Sequence, residues 1–147
     1  MPNKPMIYLG ADHAGFKLKE TLKEALTKAK FSVCDLSPRL VKDDDYPLAA
    51  KKVSLAVLGE PGSFGVLVCG TGLGMDIAAN RFPGIRAIVA RTEDDAKTSR
   101  EHNHANILAL GERVTKPALA IKMTLTFLKT KPSKAQRHER RVHQLDT

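Results

Sequence analysis

Residues 64–74 of the chain read FGVLVCGTGLG. The first part, 64–69, is a short apolar run of the kind found in strands buried in a parallel sheet. The three glycines that follow, Gly70, Gly72 and Gly74, allow a tight turn whose N–H groups face inward at the start of a helix. The stretch therefore predicts a strand, a turn and a helix, the repeating unit of an α/β fold.

Apolar runs and amphipathic segments alternate along the rest of the chain. Strands are predicted at 6–11, 31–36, 64–69, 85–90 and 105–110, with helical patterns between them. One helix is expected to start near Pro47, and another covers 116–129. The alternation predicts right-handed crossovers and a Rossmann-like three-layer αβα domain with a five-stranded parallel sheet, over about 6–130.

The chain has 147 residues, and its apolar content of 42% is that of a globular protein rather than a disordered or fibrous one. Its net charge is +8, of which residues 129–147 carry +4, from six basic and two acidic residues. The tail, about 131–147, has only Val142 and Leu145 as apolar anchors, so we expect a C-terminal helix that packs on a second subunit. Seven aromatic residues without Trp, and no nucleic-acid-binding motif, favour an anionic small molecule over nucleic acid.

The two cysteines, Cys34 and Cys69, lie far apart and form no CxxC motif. They indicate a reducing cytoplasm rather than a disulfide framework. No apolar run reaches the roughly eighteen residues of a membrane span, so no membrane is expected as a partner. Residues 1–6 are interpreted as a short disordered lead-in and not a signal peptide.

Chemically active side chains follow the predicted strands, where open parallel sheets bind their ligands. Two glycine-containing segments there resemble common nucleotide-binding motifs, but each lacks one residue that the motif requires. Met75 stands where a dinucleotide fingerprint starting at Gly70 needs its last glycine, and Phe16 stands where a P-loop needs lysine. The sequence therefore argues against ATP and NAD. The glycines also suit an ordinary tight turn between a strand and a helix.

Cys69 ends the third predicted strand, at the mouth of a helix. The helix dipole and free N–H groups favour a thiolate there, which could act as a base or a nucleophile. Taken alone, the residue is explained equally well as a buried, inert cysteine, and that explanation is the better one for Cys34.

The histidines do not show a metal-binding spacing. No HExxH motif is present, and the His102 and His104 pair and the His138 and His143 pair do not match a helical zinc motif, so no metal site is expected. Two arginines of the tail, four residues apart, would share one helix face and could clamp a phosphate.

A series of motifs runs from the first strand to the tail. The sequence resembles, in these motifs and their order, the type B ribose-5-phosphate isomerases, a family that also contains galactose-6-phosphate isomerase subunits and allose-6-phosphate isomerases. The motifs are GADHAG (10–15), YP (46–47), CGTGLGM (69–75), ANR (79–81), GIRA (84–87), SREHN (99–103), AN (105–106), LGERV (110–114), RH (137–138) and RV (141–142).

The resemblance implies an aldose–ketose isomerase that interconverts ribose 5-phosphate and ribulose 5-phosphate without a cofactor or metal. Cys69 would be the general base that moves a proton between C2 and C1 through an enediolate. Thr71 would relay protons at the sugar oxygens. His102, with Asp12, would open the furanose ring.

The resemblance also implies which residues bind substrate. Loop amides of Gly70, Gly72 and Gly74, with the Asn103 side chain, would stabilise the enediolate oxygen. The residues expected at the phosphate are His13, Arg113, Arg137 and Arg141, and Tyr46 is also expected to contact substrate. The family's site lies between two subunits, which implies a homodimer or tetramer.

Four positions depart from the family pattern: Leu48, Asp76, Arg81 and His104. Asp76, one turn from Cys69, could raise the thiol pKa by like-charge repulsion, or could simply face solvent. A six-carbon 6-phosphate remains an alternative substrate. A non-catalytic module that binds a phosphorylated metabolite or an acidic polymer is a second alternative, from a different class.

Overall fold

The computed structural model describes residues 4–147. Residues 1–3 of the expected lead-in lie outside this range, and its last residue, Met6, already belongs to the first strand. In chain order the elements are β1 (Met6–Ala11), α1 (Phe16–Lys28), β2 (Ser32–Asp35), α2 (Tyr46–Gly59), β3 (Phe64–Cys69), α3 (Leu73–Ala79), β4 (Ala87–Val89), α4 (Glu93–Asn103), β5 (Ile107–Gly111), α5 (Pro117–Lys129) and α6 (Gln136–Asp146).

The five strands form one parallel sheet in the order β2-β1-β3-β5-β4. Helices cover both faces: α1, α4 and α5 contribute to the apolar cluster on one side, and α2 and α3 to the cluster on the other. The predicted three-layer α/β architecture with five parallel strands is confirmed. The carboxyl ends of β1 and β3, which are neighbours in the sheet, bring the loops that follow them side by side.

Alternation along β3 sets the direction of each side chain. Val66 and Val68 pack toward α1 and α5, whereas Leu67 and Cys69 face the cluster formed with α2 and α3. All four side chains are at least 95% buried. A strand buried on both faces needs apolar residues throughout, which is why the run at 64–69 is continuous rather than alternating.

The observed strands differ from the predicted ranges mainly at their ends. The fourth strand is shorter than the predicted 85–90, because Ile85 belongs to a turn in which its N–H donates to Phe82 O at 3.0 Å and Gly84 has φ +92°. The fifth strand starts later than predicted and extends to Gly111. The predicted C-terminal helical extension is present as α6, which packs against α4.

Candidate active site

Cys69 is the last residue of β3 and is 95% buried. Its sulfur accepts a hydrogen bond from the N–H of Gly72 at 3.2 Å. Its backbone oxygen accepts the N–H of Glu112 at 2.9 Å, so the chain leaving β5 is joined to the start of the glycine loop. The Gly72 amide therefore fixes the position of the Cys69 sulfur at the start of the glycine loop.

The glycine loop turns sharply before α3. Gly72 adopts a left-handed conformation, with φ +82°, and a Cβ there would lie 3.0 Å from the Leu110 carbonyl carbon. The hydroxyl of Thr71 accepts the N–H of Leu73 at 3.3 Å. The amides of Gly72 and Leu73 are thus engaged with the Cys69 sulfur and the Thr71 hydroxyl, and only other amides of the loop are free to bind a substrate oxygen.

Arg113 and Tyr46 lie directly on two glycines of this loop. A Cβ on Gly70 would come within 2.8 Å of Arg113 Nη1, and a Cβ on Gly74 would come within 2.6 Å of the Tyr46 ring. The N–H of Arg113 donates to Gly70 O at 3.0 Å, which fixes the start of the arginine side chain. The structure therefore brings Cys69, Thr71, Arg113 and Tyr46 to one loop.

The loop after β1 lies beside the glycine loop. Asp12 N–H donates to Val68 O at 3.3 Å, and Oδ1 of Asp12 accepts the N–H groups of Ala14 and Gly15 at 3.0 and 3.1 Å. Asp12 is 7% exposed, and burial raises the pKa of its carboxyl while the amide of Gly15 acts in the opposite direction. A carboxyl with a raised pKa exchanges protons more readily near neutral pH than an ordinary aspartate does.

His13 is oriented by Asp44, a residue that the sequence analysis does not single out. Asp44 Oδ1 accepts the backbone N–H of His13 at 2.6 Å, and the His13 ring Nδ1 lies 3.2 Å from the same oxygen. These contacts raise the pKa of the His13 imidazole, with the Asp44 side-chain hydrogen bond as the largest cause. The only signal in the sequence is the acidic run at 43–45 before Tyr46, and it does not show which aspartate faces His13.

The remaining predicted site residues form a second group around the end of α4 and on α6. His102 and Asn103, at the end of α4, are exposed, and so are Arg137 and Arg141 on α6. The His102 ring stacks on the ring of His138, with centroids 4.3 Å apart. His138 is 7% exposed, and burial lowers the pKa of its imidazole, as does the nearby His102.

The two groups lie at opposite ends of the strands, one at the carboxyl ends and the other at the amino ends. Helix α4 starts after the carboxyl end of β4 and finishes before the amino end of β5. Its last residues therefore lie one helix length from its first. Eleven residues of helix span about 16 Å. One chain therefore places His102, Asn103, Arg137 and Arg141 away from the glycine loop that holds Cys69.

Asp76 does not point freely into solvent. Its Oδ1 accepts a hydrogen bond from the Asn80 side chain at 2.6 Å, and its Oδ2 accepts the N–H of Val89 in β4 at 3.2 Å. Burial raises the pKa of the Asp76 carboxyl, and the Val89 amide opposes that shift. The carboxylate joins α3 to β4. The sequence analysis expects it either to raise the Cys69 pKa or to face solvent, and it does not anticipate this contact.

Metal-binding clusters and membrane-spanning helices are both absent from residues 4–147. In that range no group of three or more His, Cys, Asp and Glu side chains is arranged to hold a metal ion. No helix there is long and apolar enough to cross a membrane.

The fold is that of the sugar-phosphate isomerases, and residues 7–145 match the family model described as Ribose/Galactose Isomerase. The chain belongs to this family. It is 41% identical over 136 residues to ribose-5-phosphate isomerase B of Escherichia coli, covering 92% of this chain and 91% of that protein. It is 39% identical over 137 residues to the Mycobacterium tuberculosis protein of the same name, covering 92% of this chain and 85% of that protein.

Solved structures agree. A ribose 5-phosphate isomerase from Thermotoga maritima superposes with a TM-score of 0.92 at 44% identity, covering 97% of each chain. The type B ribose 5-phosphate isomerase of Trypanosoma brucei superposes with a TM-score of 0.92 at 38% identity, again over 97% of each chain. The resemblance inferred from the sequence motifs is thereby confirmed.

Proposed function

We propose that this chain interconverts ribose 5-phosphate and ribulose 5-phosphate, with Cys69 as the general base. The observation that carries the proposal is the position of the Cys69 sulfur, which accepts an N–H from the glycine loop at the carboxyl edge of the sheet. Membership of the isomerase family supports the reaction class.

In this mechanism the Cys69 thiolate removes the proton from C2 of the open-chain aldose, and the electrons move into an enediolate. The thiol then returns a proton to C1, and Thr71, whose hydroxyl lies in the same loop, moves a proton between O1 and O2. The amides of the loop that are not engaged internally, together with Asn103, stabilise the charged oxygen. No electrons are lost or gained overall, so the reaction needs no oxidant.

Ring opening and phosphate binding use the other residues. His102, with Asp12, transfers the proton that opens the furanose ring. His13, Arg113, Arg137 and Arg141 bind the phosphate, and the cationic form of His13 is favoured by Asp44. Tyr46 lies on Gly74 and lines the sugar site.

The site is completed by a second copy of the chain, in a homodimer or a tetramer. Support comes from the separation of the two groups within one chain. The phosphate-binding arginines of α6 and the ring-opening His102 lie at the amino ends of the strands, whereas Cys69 lies at a carboxyl end. A symmetric pair of chains can place the amino ends of the strands of one chain against the carboxyl ends of the strands of the other. The whole chain, residues 1–147, then acts as one isomerase domain, with a core at about 6–130 and with the tail at about 131–147 serving the partner. We place the enzyme in the cytoplasm, because both cysteines are free.

The test is NMR of the purified protein with ribose 5-phosphate in D₂O containing EDTA. We expect ribulose 5-phosphate to appear and solvent deuterium to enter the sugar. Cys69→Ala should abolish turnover while substrate still binds. Cys34→Ala, the matched control, should retain turnover, because Cys34 lies within β2, away from the glycine loop.

An active Cys69→Ala enzyme would remove Cys69 from the role of base. Turnover of allose 6-phosphate but not of ribose 5-phosphate would move the substrate to the six-carbon branch. No turnover of either sugar, combined with tight salt-dependent binding to an acidic polymer, would favour the non-catalytic module.

A further inference from the structure

Helix α6 carries two proposed phosphate-binding arginines but has little of its own surface buried. Only His138 and Val142 of its eleven residues are buried, and Arg137 and Arg141 are exposed. Two buried side chains one turn apart form a narrow stripe, and packing along such a stripe leaves the tilt and rotation of a helix weakly determined. Contacts at the two ends of α6 therefore carry much of the information about its position.

The segment before α6 is held by Ser133. Its N–H donates to the carbonyl of Glu101 in α4 at 2.9 Å. Its own carbonyl lies 3.1 Å from Nε2 of His104, and since a carbonyl only accepts, Nε2 carries the proton. His104 follows α4 in a left-handed conformation, φ +48°, which turns its ring toward this segment.

The far end of α6 is held by Asp146. Its Oδ2 lies 2.6 Å from Nη1 of Arg86, and the two side chains are only 34% and 20% exposed. The Arg86 Nε also donates to the backbone carbonyl of His104 at 3.1 Å. Arg86 and His104 are therefore one connected unit that contacts both ends of the helix.

We infer that Arg86, His104, Ser133 and Asp146, here called the α6 clasp, are positioning residues that set where Arg137 and Arg141 present their guanidinium groups to the phosphate in the partner's site. The inference rests on the proposed function. A bidentate guanidinium contact needs a fixed geometry, and a displacement of about 1 Å at a substrate-positioning residue can cost up to about 100-fold in rate. His104 is one of the departures from the family pattern, and the clasp assigns it a role.

The first test opens the clasp at either end. His104→Gly removes the ring without strain, because glycine accepts the left-handed backbone at this position. Asp146→Asn removes the charge at the other end but keeps the side-chain shape. In each variant we expect KM for ribose 5-phosphate to rise about tenfold while kcat changes less than about threefold. The inhibition constant of inorganic phosphate should rise in parallel.

Two comparisons separate positioning from general destabilisation. Asp146→Glu should restore most of the affinity, since it restores the carboxylate. Arg140→Ala, which removes an exposed arginine from the same helix, should leave KM unchanged. Thermal stability and the mass of the assembled protein should stay close to wild type in all of these variants.

A double-mutant cycle decides whether the clasp acts through the two arginines. Asp146→Asn should raise KM in the wild-type background but have no further effect when Arg137→Ala and Arg141→Ala are already present. An equal effect in both backgrounds, or an unchanged KM in both clasp variants, overturns the inference alone. A wild-type protein that does not isomerise ribose 5-phosphate overturns the proposed function, and the inference with it.

Discussion

Among individual residues, His13 shows how a neighbouring carboxylate prepares a side chain for an anion. Asp44 holds both the backbone N–H and the ring of His13, and its hydrogen bond raises the imidazole pKa above the ordinary 6.5. With Nδ1 directed at Asp44, Nε2 is left to face a ligand. A phosphate would then meet a ring that stays cationic at a higher pH than a free histidine does.

We predict that Asp44→Asn lowers the His13 pKa toward its ordinary value, because the amide no longer stabilises the cation. The stabilisation of the folded protein by the His13–Asp44 pair is fully present below the ordinary histidine pKa. It is lost as the pH rises through the raised pKa of His13. NMR titration of the His13 ring measures the shift, and phosphate affinity near pH 7 should fall with it. Asp43→Asn is the matched control, and an equal shift in that variant would contradict the assignment to Asp44.

A second prediction at this scale concerns Gly15. A Cβ at this position would lie 2.2 Å from the Val68 carbonyl oxygen, whereas a Cβ on Gly59 would meet nothing within 4 Å. Gly15→Ala should therefore destabilise the fold by more than about 2 kcal/mol, because backbone must move. Gly59→Ala, at the end of α2, should be neutral or stabilise by up to about 1 kcal/mol. Urea unfolding of both variants checks this, and equal midpoints would refute the close approach of Gly15 to the backbone of β3.

At the scale of elements, α3 protects the edge of the sheet. Strand β4 is the last in the order, and its outer N–H and C=O groups would otherwise be unpaired. The side-chain amide of Asn80 accepts from Ala87 N–H at 2.8 Å and donates to Ala87 O at 2.9 Å, and Asp76 accepts the N–H of Val89. The side chains of Asp76 in α3 and of Asn80 directly after it thus pair with β4 where a further strand would otherwise do so.

Asp76→Ala should destabilise the protein by about 1–3 kcal/mol, since it leaves the Val89 N–H without its acceptor and frees Asn80. Urea unfolding measures the loss. Asp94→Ala, in the exposed first turn of α4, is the comparison and should change stability by about 0.5 kcal/mol or less. If Asp76→Ala unfolded at the wild-type urea concentration, the carboxylate would have no part in holding β4.

Helix α1 is joined to β2 by an ion pair with two lysines. Lys19 and Lys23 lie 2.7 and 3.2 Å from Asp35 Oδ2, but the Lys19 side chain is fully buried whereas that of Lys23 is 43% exposed. Burial tends to raise the pKa of Asp35, but hydrogen bonds from Lys19, Ser37 and Lys23 hold it below 3.8. The resulting stabilisation is present above pH 3.8 and is lost as pH falls through the lowered pKa.

Replacing each lysine in turn separates the buried contact from the exposed one. Lys19→Ala should cost about 3 kcal/mol, because it leaves a buried carboxylate with one partly exposed partner. Lys23→Ala should cost less than about 1 kcal/mol. Chemical unfolding at pH 7 gives both values, and similar losses for the two lysines would show that burial does not decide the strength of this contact.

For the whole molecule, the site residues are divided between the two ends of the strands, and from this division we predict the result of mixing subunits. Cys69→Ala alone should be inactive, and the Arg137→Ala/Arg141→Ala variant alone should show little activity at a ribose 5-phosphate concentration near the wild-type KM, although higher concentrations still support turnover. After dissociation and random reassociation of a mixture, half of the dimers carry one intact site of two, so about a quarter of wild-type activity should return. Steady-state isomerisation of the mixture is the measurement.

The control mixes Cys69→Ala with Thr71→Ala. Both substitutions lie in the glycine loop, so every site in the mixed dimer keeps a defective half and no activity should return. No recovery in the first mixture would place the whole site within one chain, and recovery in the control would show that Cys69 and Thr71 of one chain serve different sites.

The fold follows from local patterns to a large extent. The five strands, the parallel sheet and the positions of α2, α5 and α6 were predicted from apolar runs and helical spacing, because burial on both faces of a sheet demands such runs. The limits of β4 were missed, since the turn at Phe82–Ile85 and the edge pairing with Asn80 depend on residues outside the strand.

The candidate site was predicted in part. The glycine loop with Cys69 and Thr71, and the position of Arg113 after β5, could be located from the sequence because these residues follow strands directly. Asp44 and the clasp residues Arg86, Ser133 and Asp146 were not assigned roles, because each acts on a side chain or carbonyl that is distant in sequence.

The α/β class, the family and the chemistry available after each strand can be read from the sequence, because buried strands, glycine turns and motif order are local properties of a chain. Three other relations depend on how the chain packs: Asp44 orients His13, Asp76 bonds to β4, and the two groups of site residues lie at opposite ends of the strands. Those relations join residues whose separation is set by packing and by the length of α4, and neither can be read from spacing along the chain.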